Sequence, residues 1–278
     1  MLYPVELGLP EELSEETKRL MRLLGHVSRQ GRLREDGRDK LEQVISFLPL
    51  MRKVLSKTNK RKSLNVLECA SGKGHLGLLL NQFLSEETDR EINWVGIDNS
   101  EKLVKKCRNI AEEMGLENVE YRTSRILDYT CDGPIHVLLG LHACDTATDE
   151  ALVKGLEIRA RYIFLVPCCQ REVSGQLAGI ENGVLAVIAG NYTHRKVLGT
   201  LLTDSLRRLI LESFGYEVDV FEYVSVRRTE KNIMIRGESG KVPDENSWVA
   251  YRSTLEELGL RLTLDELLVE RGLSPPLE

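Results

Sequence analysis

Between Asn65 and Gly77 the chain reads NVLECASGKGHLG, placing Glu68, Ala70, Gly72 and Gly74 at alternate positions after an apolar run. A carboxylate followed by small residues at a strand-to-helix turn is the pattern of a nucleotide-cofactor cradle, because glycine lets the backbone approach a ligand closely. The spacing differs from the dinucleotide fingerprint G-x-G-x-x-G with an acid about 20 positions on. Ala70 is the odd member. Alanine is comfortable only at negative φ, so the turn is expected to avoid a left-handed residue there. An ordinary strand-turn-helix carries the same residues, and the loop alone leaves both readings open. A second acid, Asp98, closes the apolar run INWVGID. It would stand at the carboxyl end of a strand, where open α/β sheets bind ligands, and a carboxylate there can accept both hydroxyls of a ribose.

The elements that must position these residues are legible as alternating strand-like and helix-like runs from Leu64 onward, the pattern of a parallel sheet with helices on both faces. Strands are expected at Ile92–Asp98, Val119–Ile126, Ile135–Leu141 and Arg161–Val166. Ser100 reads as the N-cap of a helix over Glu101–Met114, and Gly115 as its stop. Thr203–Phe214 has amphipathic spacing and leads to Tyr216–Val224 and Lys231–Arg236, close enough for an antiparallel hairpin. Before the sheet, helices are expected over Thr17–Gln30 and Gly37–Lys57, joined by the polar turn GRLREDG and interrupted at Pro49. After it, a breaker-rich link precedes helical runs at Ser253–Leu258 and Thr263–Arg271. The expected division is an N-terminal helical segment at 1–62, a catalytic domain at 63–237 and a helical appendage at 238–278.

The 278 residues suffice for a full hydrophobic core. No run of about 18 apolar residues and no charged-then-apolar leader is present, so neither membrane insertion nor secretion is expected. Six cysteines without regular spacing read as reduced thiols of a cytoplasmic protein. The net charge of −5 is unevenly placed: Lys18–Lys62 holds fourteen Lys or Arg against four acids. That +10 stretch can follow a polyanion, or form a solvated helical face.

Glu68-x-Ala70-x-Gly72-x-Gly74 resembles motif I of the class I S-adenosylmethionine methyltransferases. The resemblance implies a Rossmann-like, seven-stranded α/β methyltransferase sheet with its last strand antiparallel. The elements GKGHLG (Gly72–Gly77), LHACDTATD (Leu141–Asp149) and Cys168-Cys169 resemble a narrower superfamily with G-K-G-H-L, H-x-C-G/D-x-A-T-D and C-C motifs. That superfamily includes the eukaryotic tRNA acceptor-stem 2′-O-methyltransferase. The tRNA enzyme's cysteine- and histidine-rich zinc segments have no counterpart here, and Cys169 is followed by Gln170-Arg171 where that enzyme has histidines.

The resemblance implies that Glu68, Ala70, Ser71, Gly72 and Gly74 line the methionine and ribose part of S-adenosylmethionine, with Leu141 beside them. Asp98 would take the ribose, Asn99 would flank the adenine, and Ser124 and Arg125 would stand where the family contacts the adenine. Lys73 and His75 face either the site or solvent. An already activated sulfonium methyl requires chiefly that an acceptor atom be aligned and a proton removed. His142 and Asp145 are the candidates for the base, against a buried loop-orienting histidine and a helix N-cap. Cys144 and Cys168 follow the fourth and fifth strands, where RNA cytosine-C5 methyltransferases hold theirs, and a thiolate can add to a pyrimidine ring. His142, Cys144, Cys168 and Cys169 converging on a metal is a further alternative, with small thiols packing the site floor as the simplest one. A methyltransferase acting on RNA (tRNA or rRNA) through residues 18–62 is the expected function. A protein or small-molecule methyltransferase and a catalytically silent cofactor-binding scaffold are the alternatives.

Overall fold

A computed structural model describes residues 13–27, 32–141, 145–168, 171–181, 183–225, 229 and 232–276. Helices α1 (Glu15–Leu23) and α2 (Glu35–Lys57) lead into β1 (Leu64–Cys69), α3 (His75–Glu87), β2 (Ile92–Asp98), α4 (Glu101–Met114) and β3 (Val119–Thr123). Then come β4 (Val137–Leu141), α5 (Thr146–Glu157), β5 (Tyr162–Val166), α6 (Arg171–Gln176), α7 (Gly183–Ala189) and α8 (Tyr192–Ser213). The chain closes with β6 (Tyr216–Glu222), β7 (Ile233–Ser239), α9 (Glu245–Leu258) and α10 (Thr263–Glu270).

The strands form one sheet in the order β3-β2-β1-β4-β5-β7-β6. β1 to β5 pair in parallel, and β7 runs antiparallel to both β5 and β6. This is the Rossmann-like methyltransferase sheet that the resemblance implied. A parallel sheet covered on both faces needs apolar residues on both, and all five residues of β5 are buried. Alternate residues of β1 serve opposite cores. Leu64 and Val66 join α1 to α4, while Leu67 and Cys69 join the core shared with α5 and α8 to α10.

The N-terminal helices are built into the first core. Leu20, Met21, Leu41, Val44 and Met51 are each at most 1 % exposed and pack with the sheet side chains. Glu86 on α3 accepts hydrogen bonds from Ser14, Thr17 and Gln82, which docks α1 onto α3. Pro49 does not break α2: the helix runs through it from Glu35 to Lys57. The proline removes one backbone donor, and burial of Leu48, Leu50, Met51 and Val54 around it offsets that loss. α1 stops earlier than expected, at Leu23, followed by Gly25 at φ +83°. Among the described residues, no helix is long and apolar enough to cross a membrane.

Candidate active site

The loop after β1 carries three left-handed residues, Ala70 (φ +53°), Gly72 (φ +56°) and Gly74 (φ +73°). The expectation that Ala70 would avoid this region is overturned. Three backbone ties impose it: Ser71 N–H donates to the Ile97 carbonyl, Gly72 N–H to Asp98 Oδ2, and Gly74 N–H to the Ser71 carbonyl, each at 2.9 Å. The loop is thereby pinned across the end of β2, and the Ala70 Cβ bears a strain of about 1–2 kcal/mol. Gly74 has its own reason to be glycine. A Cβ there would stand 2.9 Å from Cys107 Sγ and 3.0 Å from the Tyr121 hydroxyl.

Glu68 lies beneath this loop, buried between β1, β2 and the start of α3. Its Oε2 accepts from Trp94 Nε1 at 3.0 Å, and its carboxylate accepts the Gly77 N–H. Burial nevertheless pushes its pKa up to about 8. A side chain on Gly77 would meet Glu68 Oε2 at 2.4 Å, so this glycine makes room for the acid. Nearby, the Ser71 and Tyr121 hydroxyls are buried without a hydrogen-bond partner among the described residues.

Asp98, at the end of β2, uses both carboxylate oxygens on backbone donors, Oδ2 on Gly72 and Oδ1 on Ser100 at 2.9 Å. Ser100 occupies the N-cap position of α4, but its side chain makes no capping bond. Ser124 N–H donates to the Asp98 carbonyl at 3.0 Å, which brings the start of the β3 loop to the same sheet end. The Ser124 hydroxyl donates to the Arg125 carbonyl, and Asn99 and Arg125 are exposed. Asp98, Asn99, Ser124 and Arg125 therefore gather at the carboxyl ends of β2 and β3.

A cavity of about 330 Å³ opens at the carboxyl ends of β1 and β4, between which the strand order reverses. That is the topological switch point at which doubly wound sheets bind ligands, and the volume lies within the range of about 300–1,000 Å³ usual for small-molecule sites. Glu68, Ala70, Ser71 and Gly72 line its floor, with Lys73, His75 and Leu76 from the loop and α3, and Leu141 from β4. The rest of the lining comes from α2, through Lys40, Gln43 and Val44. Sequence reasoning missed this wall. Its one signal was a polar pair three residues apart, Lys40 and Gln43, set into the Leu41–Val44 apolar stripe.

Lys73 and His75 both line the cavity, which settles where the loop turns them. Lys73 is exposed at its edge. The His75 ring meets that of His26, from the link between α1 and α2, edge-on at 4.4 Å between centroids. Both Nε2 atoms are buried without a partner among the described residues. Burial, reinforced by His26, Lys40, Lys73 and Lys106, lowers the His75 pKa to about 3. Burial lowers His26 as well. Gly37 lets this corner close, because a Cβ on it would stand 2.6 Å from the His26 carbonyl.

At the ends of β4 and β5, His142, Cys144 and Cys169 lie outside the described residues. Cys168 is half-buried. Among the described residues, no cluster of His, Cys, Asp or Glu is arranged to hold a metal. Asp145 occupies the N-cap position of α5 at φ +53° and ψ −117°, yet its side chain makes no capping bond there. Its Oδ1 instead accepts the Arg171 N–H at 3.1 Å, tying the β4 loop to α6. The Asp145 carbonyl accepts from Arg207 Nη2 at 3.1 Å. Arg207, 1 % exposed, also donates to Asp149 at 2.8 Å and to Asp204 at 3.1 Å. Burial raises the Asp149 carboxyl and the guanidinium opposes that rise. The last acid of the LHACDTATD element thus anchors α5 to α8 and holds the loop in place.

The family model described as a methyltransferase domain matches residues 39–176. The chain is similar to the glutathione S-transferase C-terminal domain-containing proteins of Bos taurus (26 % identity, 51 % of this chain and 20 % of that protein) and Homo sapiens (24 %, 62 % and 29 %). It therefore spans less than a third of the length of these curated relatives. Among solved structures it resembles magnesium protoporphyrin IX methyltransferase from Synechocystis PCC 6803 with bound SAH. The TM-score is 0.50 at 15 % identity, covering 82 % of this chain and 95 % of that one. Sheet order, the glycine loop at the switch point and the family match agree: residues 39–176 match a methyltransferase domain, and the sheet they enter has the Rossmann-like methyltransferase fold.

Proposed function

We propose that this domain transfers methyl groups to RNA, with Asp98 and the Glu68–Gly74 loop holding the cofactor and the basic N-terminal helices holding the substrate. The cavity fits the cofactor on three counts: its position at the switch point, its left-handed loop, and the unpartnered Ser71 hydroxyl in its lining. When bound, S-adenosylmethionine supplies a methyl group on a positively charged sulfur. Glu68, Ala70, Ser71, Gly72, Gly74 and Leu141 would surround its amino-acid part. Asp98 would exchange its Gly72 tie for ribose hydroxyls, with Asn99, Ser124 and Arg125 around the adenine. The Asp145 Oδ1 is already engaged by Arg171 N–H. Proton removal would fall to His142, with Cys144 and Cys168 as the thiols bordering the acceptor side.

The observation that carries the RNA reading is the excess of fourteen Lys or Arg over four acids in residues 18–62, to which Lys73 at the cavity and Lys106, close enough to act on His75, add their charge. Part of the basic segment is already paired: Lys18 and Arg22 with Glu15, Arg19 with Glu113, Arg52 with Glu87 and Lys57 with Glu238. Phosphate contact would fall to exposed cations such as Arg34, Arg38, Lys53, Lys60, Arg61 and Lys62. Labelled methyl should pass from S-adenosylmethionine to total RNA, and Asp98→Ala should abolish the transfer. Label appearing in protein extracts and never in RNA would reject the substrate class.

A second reading has its own observation. Val184, Val187, Tyr192, Val197 and Leu201 on α7 and α8 are 57–81 % exposed, an apolar surface suited to a peptide or apolar small-molecule acceptor. The same labelling experiment with protein and small-molecule fractions distinguishes the two.

A further inference from the structure

We propose that Lys40, on α2 and outside the glycine loop, is the carboxylate-binding residue of the cofactor site, held in place by Gln43. The proposal rests on the cofactor reading above and assigns to the N-terminal helix a task different from phosphate contact.

The cavity is chemically divided. Its floor holds Glu68, an acid with 2 % exposure, while Lys40 approaches from α2 and Lys73 from the loop. A ligand that presents an ammonium and a carboxylate on one carbon, next to a positive sulfur, matches a site with one acid and a facing cation. Of the two lysines, Lys73 is exposed at the rim, whereas Lys40 is half-buried and lines the interior. Among the described residues, the Lys40 ammonium forms no ion pair. Its hydrogen bond goes to Gln43 Oε1 at 3.2 Å, and Asp39, its neighbour in sequence, acts on it only through space. Two of its three N–H donors are thus open to an anion. Gln43 is 3 % exposed, one helical turn from Lys40, and fixes the direction in which the ammonium points.

The test pairs two ligands with three proteins, using calorimetry on the full chain. S-adenosylhomocysteine carries the carboxylate, and S-adenosyl-3-thiopropylamine is the same molecule without it. Lys40→Met should weaken S-adenosylhomocysteine about 10- to 100-fold, the value of one charge-assisted hydrogen bond, and leave the decarboxylated ligand within about twofold. Lys40→Arg should restore most of the loss. Equal weakening of both ligands, or of neither, overturns the assignment while leaving the cofactor reading intact. A wild-type protein that binds neither ligand removes the cofactor reading itself. Should Lys40→Met fold poorly, Lys40→Gln takes its place in the same comparison.

Discussion

The two sides of the sheet treat buried polar groups in opposite ways. Around β1, β2 and the N-terminal helices, His26, Ser71, His75, Asn81 and Tyr121 each keep a buried polar atom without a partner among the described residues. Across the sheet, the buried charges of α5 and α8 are saturated. Arg207 meets Asp149, Asp204 and the Asp145 carbonyl, and Lys154 meets Glu157 and the Tyr129 carbonyl. Tyr251 is the exception on that side. Unsatisfied buried groups cost stability and persist where a ligand completes them; fully paired ones fix a single arrangement. Of the first group, Ser71 and His75 line the cavity, whereas the paired network across the sheet acts as a frame.

The largest effect should come from breaking the frame. Arg207→Met leaves two carboxylates buried without their cation and should cost about 3–5 kcal/mol in urea denaturation. A loss below about 1 kcal/mol would mean the network is incidental.

The cavity side should show itself in the pH dependence of stability. His75 is lowered from 6.5 to about 3, so the unfolded chain binds more protons between those values and stability falls as the pH drops through that window. Glu68 is raised from 4.5 to about 8, so the folded chain binds more protons there and stability falls as the pH rises from 4.5 to 8. The two opposing limbs predict a maximum on the acid side of neutrality. Glu68→Gln should flatten the alkaline limb alone in thermal unfolding at several pH values. An unchanged profile would show that Glu68 is ionised in the fold.

The smallest effect concerns the loop. Ala70→Gly relieves a left-handed alanine and should stabilise the protein by about 1 kcal/mol, measured by denaturation without ligand. A destabilised variant would show that the Ala70 methyl does more in packing than it costs in strain.

Much of the frame was readable in advance, because local chemistry decides it. The strand before Glu68, the acid closing β2, the Gly115 stop and the β6–β7 pair all follow from short-range patterns. Where tertiary packing intervened, reading along the chain fell short. α8 begins at Tyr192, well before Thr203, because Asn191 caps it by accepting from Thr193 N–H and His194 N–H. Gly199, a poor helix former, is kept inside it because a Cβ there would stand 2.7 Å from Ser174 Cβ on α6. α9 likewise starts at Glu245, capped by Asp244, ahead of the expected Ser253. The conformation of Ala70 was misjudged because the ties that impose it reach to Ile97 and Asp98, more than twenty residues away. The same distance concealed Lys40, whose place in the cavity exists only once α2 has docked on α3.

That docking removes a freedom that appended segments usually enjoy. α2 supplies Lys40, Gln43 and Val44 to the cavity, and the same turns bury Leu41, Val44 and Leu48 in the core. The methyltransferase match itself begins at residue 39, inside this helix. An N-terminal segment of this kind is not an interchangeable module. Grafting a different one onto the sheet would rebuild a wall of the cavity and part of the core in the same stroke, so no exchange at this end leaves the cavity as it was.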